Sequence, residues 1–241
     1  MNDTTPAPVE RWLDVLGDPP EAMGTAVIEG RARFRREGKG LWLPIQAVMW
    51  HELGRQHVAD LRLGLGPLTF VRGMDGYVDG TGFSRISHTL EMGPEIDQSA
   101  ALFMWSEAIL FPAAWRERDD LDWAAIDEHT ADMALPFGEA RLPGRMEFDP
   151  ETGFPARFSA ERYKGTGGRP VEWVVDYAEW RATADAVVLP HLATVTWSDE
   201  PGPWFRMWIE RANPDADVSA AVGRGRNLLT EVAADPTRRS P

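Results

Sequence analysis

The chain has 241 residues, of which 43% are apolar, and a formal net charge of −13 at pH 7. This length and apolar fraction support a sizeable core, whereas the negative charge argues against binding to nucleic acids or anionic membranes. Cysteine is absent, which excludes disulfides, thiol nucleophiles and thiolate metal sites. The eleven Trp, ten Phe and nine Met residues can fill a core or line an aromatic cavity.

The N-terminal segment MNDTTPAPVERW has neither a basic start nor an apolar stretch typical of a secretory signal. We therefore expect a cytoplasmic location. No apolar stretch reaches the ~20 residues that a membrane-spanning helix needs, so we expect no stable membrane insertion.

The first predicted element is a short amphipathic helix over residues 8–16, with Val9, Trp12, Leu13 and Leu16 along one stripe. From residue 25 the hydrophobic period changes to two, which predicts strands. Further strand-like runs cover 41–50, 57–64, 68–73 and 76–80. In the segment RISHTLEM, we expect Ile86, His88, Leu90 and Met92 to share one face of a strand.

Residues 98–111, QSAALFMWSEAILF, predict a helix with one ionisable side chain, Glu107. Residues three and four places from Glu107 are apolar, so the helix is expected in the interior. Asp97 is the expected N-cap, and Pro112 is expected to end the helix. A buried carboxylate must find a partner or keep its proton, because an unpaired buried charge is costly.

After Trp123 the period of two returns, with turns at 149–153 and 199–202. Few helices separate the strands, which argues against a parallel sheet. We therefore predict an α+β, mainly antiparallel fold, in which one large curled sheet forms an open half-barrel around the central helix. We assign residues 1–213 to a single domain and 214–241 to a poorly packed tail, with a helix around 218–232.

Several motifs occur in an order that is similar to an uncharacterised bacterial family of unknown function, over roughly residues 8–211. The motifs are a Trp-Pro segment, D-x-Y-x-x-G-x-G, a helix ending in E-A-x-x-F-P, W-x-x-I-D and a final V-x-W hairpin. The residues that fill them are Trp42 and Pro44; Asp75 or Asp79, Tyr77, Gly80 and Gly82; Glu107, Ala108, Phe111 and Pro112; Trp123, Ile126 and Asp127; and Val195 and Trp197.

The resemblance implies a fold like the open half-barrel of LolA/LolB-like lipoprotein carriers and of a violacein-pathway enzyme, without implying a reaction. Two departures are visible. Lipoprotein carriers are exported, whereas no signal is visible here. Where the family has an aromatic Phe-x-Trp strand, this chain has His57-Val58-Ala59, which changes the expected cavity wall.

Glu107 is the first catalytic candidate, because a carboxyl group in an apolar pocket can act as a general acid or base near neutral pH. The alternative is structural: Glu107 pairs with an inward Arg or caps strand amides, and so fixes the helix to the sheet. His88 is the second candidate and would form a proton-transfer couple with Glu107 if both point inward; otherwise it is an ordinary core histidine.

We expect no metal site and no cofactor. His51, Glu52 and His57 form H-E-x-x-x-x-H, but the metalloprotease motif needs its histidines four apart on a helix. The glycine clusters lack the phosphate-binding patterns and are interpreted as turns.

Two functions fit these observations. The first is a binding protein for a small apolar or lipid-like molecule, with ligand contacts from Trp42, Trp50, Trp105, Trp173 and Trp197. The second is a cofactor-independent isomerase, cyclase or hydrolase that uses Glu107. A third interpretation is a fully packed protein that acts through its acidic surface. The sequence does not indicate an oligomeric state.

Overall fold

A computed structural model describes residues 5–15, 24–65, 68–111, 115, 118, 120–182 and 188–234. Its main feature is one antiparallel sheet of 13 strands in the order β6-β5-β4-β3-β2-β1-β13-β12-β11-β10-β9-β8-β7. The strands are β1 (Thr25–Phe34), β2 (Leu43–Glu52), β3 (Gln56–Leu65), β4 (Leu68–Val78), β5 (Thr81–Ile86), β6 (Thr89–Glu91), β7 (Asp122–Ala125), β8 (Thr130–Phe137), β9 (Ala140–Phe148), β10 (Pro155–Arg162), β11 (Val171–Ala182), β12 (Val188–Trp197) and β13 (Phe205–Pro214). The helices are α1 (Ala7–Val15), α2 (Pro94–Ala108) and α3 (Ser219–Ala234), with a short 3-10 helix at Arg36–Gly38.

The sheet is unclosed and curled, as the alternating sequence pattern predicts. Its first and last strands, β1 and β13, pair in the middle, so the two halves of the chain meet there. Successive side chains alternate between the two faces, which places one apolar set on the concave side. The fold prediction, an antiparallel half-barrel around a central helix, is confirmed.

Helix α2 lies against the concave face and is buried, as predicted. Tyr177 on β11 donates a hydrogen bond to the carbonyl of Ser106 at 2.7 Å, and Trp105 donates to the carbonyl of Pro136 at 3.2 Å. These bonds join the helix to the second half of the sheet. Gly82 on β5 lets the helix pack closely against the first half of the sheet, because a Cβ atom at this position would lie only 2.5 Å from the carbonyl oxygen of Ile96.

The predicted ends of this helix are wrong. The helix begins at Pro94, preceded by Gly93 with a φ of 134°, since proline suits the first turn where its missing N–H is not needed. Asp97 is therefore inside the helix, and its carboxylate accepts the N–H of Gly82 at 2.6 Å instead of capping. The helix ends at Ala108, and Pro112 lies outside the described residues.

Two strand predictions need correction. Residues 68–73 and 76–80 were expected as separate runs, but 68–78 form the single strand β4, followed by a turn at Asp79 and Gly80, which both have positive φ. The segment RISHTLEM is not one strand, because the chain turns at Ser87, with a φ of 55°, and His88. His88 is consequently exposed rather than inward-facing.

The two terminal helices cover different parts of the sheet. Helix α1 forms as predicted, and its Trp12 is buried with its ring centroid 6.0 Å from that of Phe148; Leu16 lies outside the described residues. The predicted helix around 218–232 is confirmed as α3, but it is not poorly packed. Val222 and Leu228 are buried against Val58 and Val78, in a cluster separate from the main core. Within the described part of the chain, no helix is long and apolar enough to cross a bilayer.

Candidate functional site

The candidate site is a cavity of about 380 Å³ between helix α2 and the concave side of strands β1 to β5. The ends of β10 and β12 and the start of β13 complete its wall. Most of the lining is apolar, which follows from the alternation of these strands. The apolar lining residues include Phe34, Leu61, Leu63, Phe103, Trp197 and Trp204.

The cavity is bordered by an apolar rim on one edge of the sheet. Strands β2 and β4 begin at this edge and β5 ends there, so their end residues lie near one another. Leu43, Leu68, Phe70 and Ile86 are exposed large apolar side chains on these ends, and Ile86 also lines the cavity. Apolar side chains grouped at the border of a cavity are typical of a ligand entrance.

The polar part of the lining includes Ser84, Glu91, Ser99 and Lys164. Three further polar side chains enter the cavity from three strands: His57 on β3, Asp75 on β4 and Arg162 at the end of β10. Each occupies an inward position in its strand, alternating with residues on the outer face. The register places Asp75 opposite Ala59, two residues beyond His57, so that two neighbouring strands present these two side chains.

Arg162 is held by aromatic rings and one backbone carbonyl. Its guanidinium carbon lies 4.5 Å from the ring centroid of Trp173 and 5.5 Å from that of Trp197, which allows cation–π attraction. Its Nε donates to the carbonyl of Ser99 at 2.9 Å. Part of the guanidinium is open to the cavity, but the loss of hydration on burial lowers the pKa of Arg162 to about 10. The negative charges of Asp75 and Glu107 act in the opposite direction and raise this pKa. The side chain is therefore a cation near neutral pH.

His57 is fully buried, and its ring stacks on His51 with centroids 5.8 Å apart and planes at 17°. Among the described residues, neither ring nitrogen of His57 has a hydrogen-bond partner. Burial, then the charges of His51 and Arg162, lower its pKa well below 6.5. His57 is consequently a neutral imidazole that offers one donor and one acceptor.

Asp75 accepts a hydrogen bond from the hydroxyl of Ser84 at 2.8 Å. Burial raises the pKa of Asp75, while Ser84 and Arg162 lower it and Glu91 and Glu107 raise it to a smaller extent. Arg162, Asp75 and His57 thus bring a cation, a carboxyl group and a neutral imidazole to the cavity, whose lining also includes Glu91 and Lys164.

Glu107 is buried as predicted, but its partner is His51 rather than an inward Arg or His88. The Nε2 atom of His51 lies 2.8 Å from Oε2 of Glu107, a close contact without the alignment of a hydrogen bond. Glu107 lines a separate void of about 30 Å³, room for one water molecule, together with Tyr177. The burial of Tyr177 and the nearby Glu107 raise the pKa of this phenol well above 10. The expected couple of Glu107 with His88 is wrong, since His88 is exposed in a turn.

The five tryptophans predicted to contact a ligand have different positions. Trp197 lines the cavity, and Trp173 lies beneath Arg162. Trp105 is fully buried in the core and does not line the cavity. Trp42 stacks under Arg35, and Trp50 belongs to the cluster around α3, so neither reaches the cavity.

His57, Asp75 and Arg162 are not predicted as a group from the sequence, although the sequence contains a signal for each. Arg162 follows Phe158 and Ala160 at period two, on an apolar face. Asp75 opens the D-x-Y-x-x-G-x-G motif, and His57 is where the chain departs from the Phe-x-Trp strand of the family. That the three side chains converge can be seen only once the order of the strands in the sheet is known.

The H-E-x-x-x-x-H spacing has a structural explanation. Strands β2 and β3 form a hairpin in which His51 pairs directly with His57. Both rings therefore face inward, while Glu52 is on the other face. In the described part of the chain, no three His, Asp or Glu side chains are grouped as metal ligands.

Solved structures of bacterial proteins share this fold. A putative outer membrane lipoprotein-sorting protein domain from Vibrio parahaemolyticus aligns with a TM-score of 0.50 at 7% identity, over 90% of this chain and 98% of that one. A LolA superfamily protein from Nitrosomonas europaea aligns with a TM-score of 0.50 at 7% identity, over 89% of this chain and 94% of that one. The likeness confirms the predicted LolA-like half-barrel.

No curated protein matches the sequence. The model of one family, described as a family of unknown function, matches residues 2–209 and includes every motif noted in the sequence. The chain therefore belongs to the family of unknown function DUF6544.

Proposed function

We propose that the protein binds a small apolar or lipid-like molecule in the cavity between helix α2 and the curled sheet. The observation that carries this proposal is a cavity of about 380 Å³ with mostly apolar walls and an exposed apolar rim. Its volume lies within the range of about 300–1,000 Å³ that is common for ligand sites. At roughly 30 Å³ for an atom of water size, it holds about a dozen non-hydrogen atoms, and the rest of a larger molecule would extend over the exposed apolar rim.

The fold supports the same proposal. A sheet that curls around one helix without closing leaves space that side chains alone do not fill. A ligand that displaces water from the apolar surface there lowers the free energy of the system. The similar Vibrio parahaemolyticus structure is described as a lipoprotein-sorting domain, which is in keeping with a lipid-like ligand here.

The test is fluorescence titration with N-phenyl-1-naphthylamine, an uncharged probe that emits strongly in apolar surroundings. We expect saturable binding of one probe per chain. Gly73 lines the cavity, and a Cβ atom there would lie 3.6 Å from its nearest neighbour, on Leu61, so a larger side chain can enter the space. Gly73→Phe should fill about half of the cavity and weaken binding at least tenfold.

Gly168→Phe is the matched control, because a Cβ atom at Gly168 has no other atom within 4 Å and the residue does not line the cavity. This variant should bind the probe like the wild type. Absence of saturable binding by the wild type, or equal binding by Gly73→Phe, would contradict the proposal.

The second candidate is a cofactor-independent proton-transfer enzyme, favoured by the convergence of His57, Asp75 and Arg162 on the cavity. Glu107 lines only the small void, so His57 replaces it as the candidate base. A nitrogen of neutral His57 would take a proton from carbon next to a carbonyl group, breaking the C–H bond and forming N–H. Arg162 would stabilise the resulting enolate oxygen, and return of the proton would restore both groups.

This candidate is tested by incubating decan-2-one with the protein in deuterated water and measuring deuterium at the carbons beside the carbonyl. Catalysed exchange that His57→Gln abolishes would support the enzyme. If the protein binds the ketone but exchange proceeds only at the rate measured in buffer alone, the enzyme candidate is excluded and the binding function remains.

A further inference from the structure

We propose that the polar end of the cavity, formed by His57, Asp75 and Arg162, binds an uncharged ligand group that both donates and accepts hydrogen bonds, such as a primary amide or a hydroxyl. This inference rests on the proposed binding function and adds the chemical class of the ligand. It predicts an amphiphile with an apolar body and an uncharged polar end.

His57 provides the first argument. Its side chain is 0% exposed to solvent and lines the cavity, yet neither ring nitrogen has a hydrogen-bond partner in the part of the chain that the structure describes. A buried polar group without a partner destabilises a protein, which makes such groups rare in native structures. The ring of His51 stacks on His57, and an imidazole donates and accepts in the plane of its ring. The His57 ring therefore brings unpaired polar atoms to the wall at this end of the cavity.

Arg162 and Asp75 provide the second argument. With Nε bound to the carbonyl of Ser99, the two terminal nitrogens of Arg162 have no hydrogen-bond partner among the described residues. None of the carboxylates in that part of the chain lies within 4 Å of Arg162. Asp75 accepts one bond, from Ser84, and its second oxygen has no described partner. Donors and acceptors both remain available to a ligand.

The balance of charge selects the ligand class. An anion would be attracted by Arg162 and repelled by Asp75 and by Glu91, which also lines the cavity. A cation would meet the reverse, and either ion would also lose its hydration. An uncharged amide can accept from Arg162 and donate to Asp75 in two charge-assisted hydrogen bonds without that loss. The other cation in the lining, Lys164, lies 2.7 Å from carboxylate oxygens of both Asp199 and Glu200, so its charge is compensated.

The experiment compares decanamide, decanoate and decylammonium, which share a chain of ten carbons, as competitors of N-phenyl-1-naphthylamine at pH 7. We expect decanamide to bind about tenfold more tightly than either ion. Tighter binding of decanoate or decylammonium, or equal affinities for all three, would overturn the inference while probe binding still supported the proposed function. Failure of the probe itself to bind would instead overturn the proposed function.

Two variants test the role of the charges directly. Asp75→Asn removes one of the two carboxylates that act on Arg162 and should shift the preference about tenfold toward decanoate. Arg162→Met should shift it by a similar factor toward decylammonium. Asp176→Asn is the control, because Asp176 pairs with Arg157 at 2.7 Å on the solvent side and should leave the order unchanged. An unchanged order in a folded Asp75→Asn protein would contradict the inference, and the wild-type comparison remains decisive if a variant does not fold.

Discussion

His57 should make the protein less stable as the pH falls from 7.5 to 5.5. Burial, His51 and Arg162 lower its pKa in the folded protein well below 6.5, whereas the unfolded chain titrates near 6.5. Below pH 6.5 the unfolded state therefore binds more protons than the folded state. The free energy of unfolding consequently decreases as the pH falls, with a limiting slope of about 1.4 kcal/mol per pH unit.

The size of the effect follows from the same pKa difference. Between pH 7.5 and 5.5 the protonated fraction of His57 in the unfolded chain rises from about 10% to about 90%, which removes about 1.4 kcal/mol of stability. Asp75 acts in the opposite direction, because its raised folded-state pKa makes the folded state bind protons more tightly. The contribution of His57 must therefore be measured as a difference between two proteins that both contain Asp75.

The assay is urea unfolding of the wild type and His57→Gln at pH 5.5, 6.5 and 7.5. The stability of the wild type relative to His57→Gln should fall by about 1.4 kcal/mol from pH 7.5 to 5.5. His88→Gln is the matched control, since His88 is exposed and its replacement should leave the pH slope unchanged. A His57→Gln difference that stays constant within about 0.3 kcal/mol over this range would refute the burial of a neutral His57.

Two further predictions concern helix α2. Glu107→Leu should lower the free energy of unfolding by roughly 3 kcal/mol, because it leaves His51 buried without its carboxylate partner. Glu107→Gln should lower it clearly less. Equal losses for the two variants in urea unfolding would exclude a specific contact between Glu107 and His51. Gly82→Ala should cost about 2 kcal/mol, since its Cβ would lie 2.5 Å from the carbonyl oxygen of Ile96. Gly24→Ala should change stability by less than about 0.5 kcal/mol, because none of the described residues would lie within 4 Å of its Cβ. A Gly82→Ala protein as stable as Gly24→Ala would mean that the helix does not approach this strand closely.

The sequence predicted the fold better than the ends of its elements. Period-two alternation indicates which face of each strand is buried, and the apolar run around Glu107 could only lie in the interior. The ends depend on weaker local signals, which is why helix α2 begins at Pro94 instead of after Asp97. The turn at His88 was missed because Ile86 and Leu90 continue the alternation across it.

The sequence alone therefore determined the class of fold and the burial of one carboxylate, since both follow from the order of apolar and polar residues along the chain. Only the tertiary structure decided which side chains meet. His57 and Asp75 lie on neighbouring strands, but Arg162 comes from a strand far away in the sheet and reaches them across the space beside helix α2. The curvature of the sheet and the position of the helix create that proximity, and neither is encoded in a local pattern of residues.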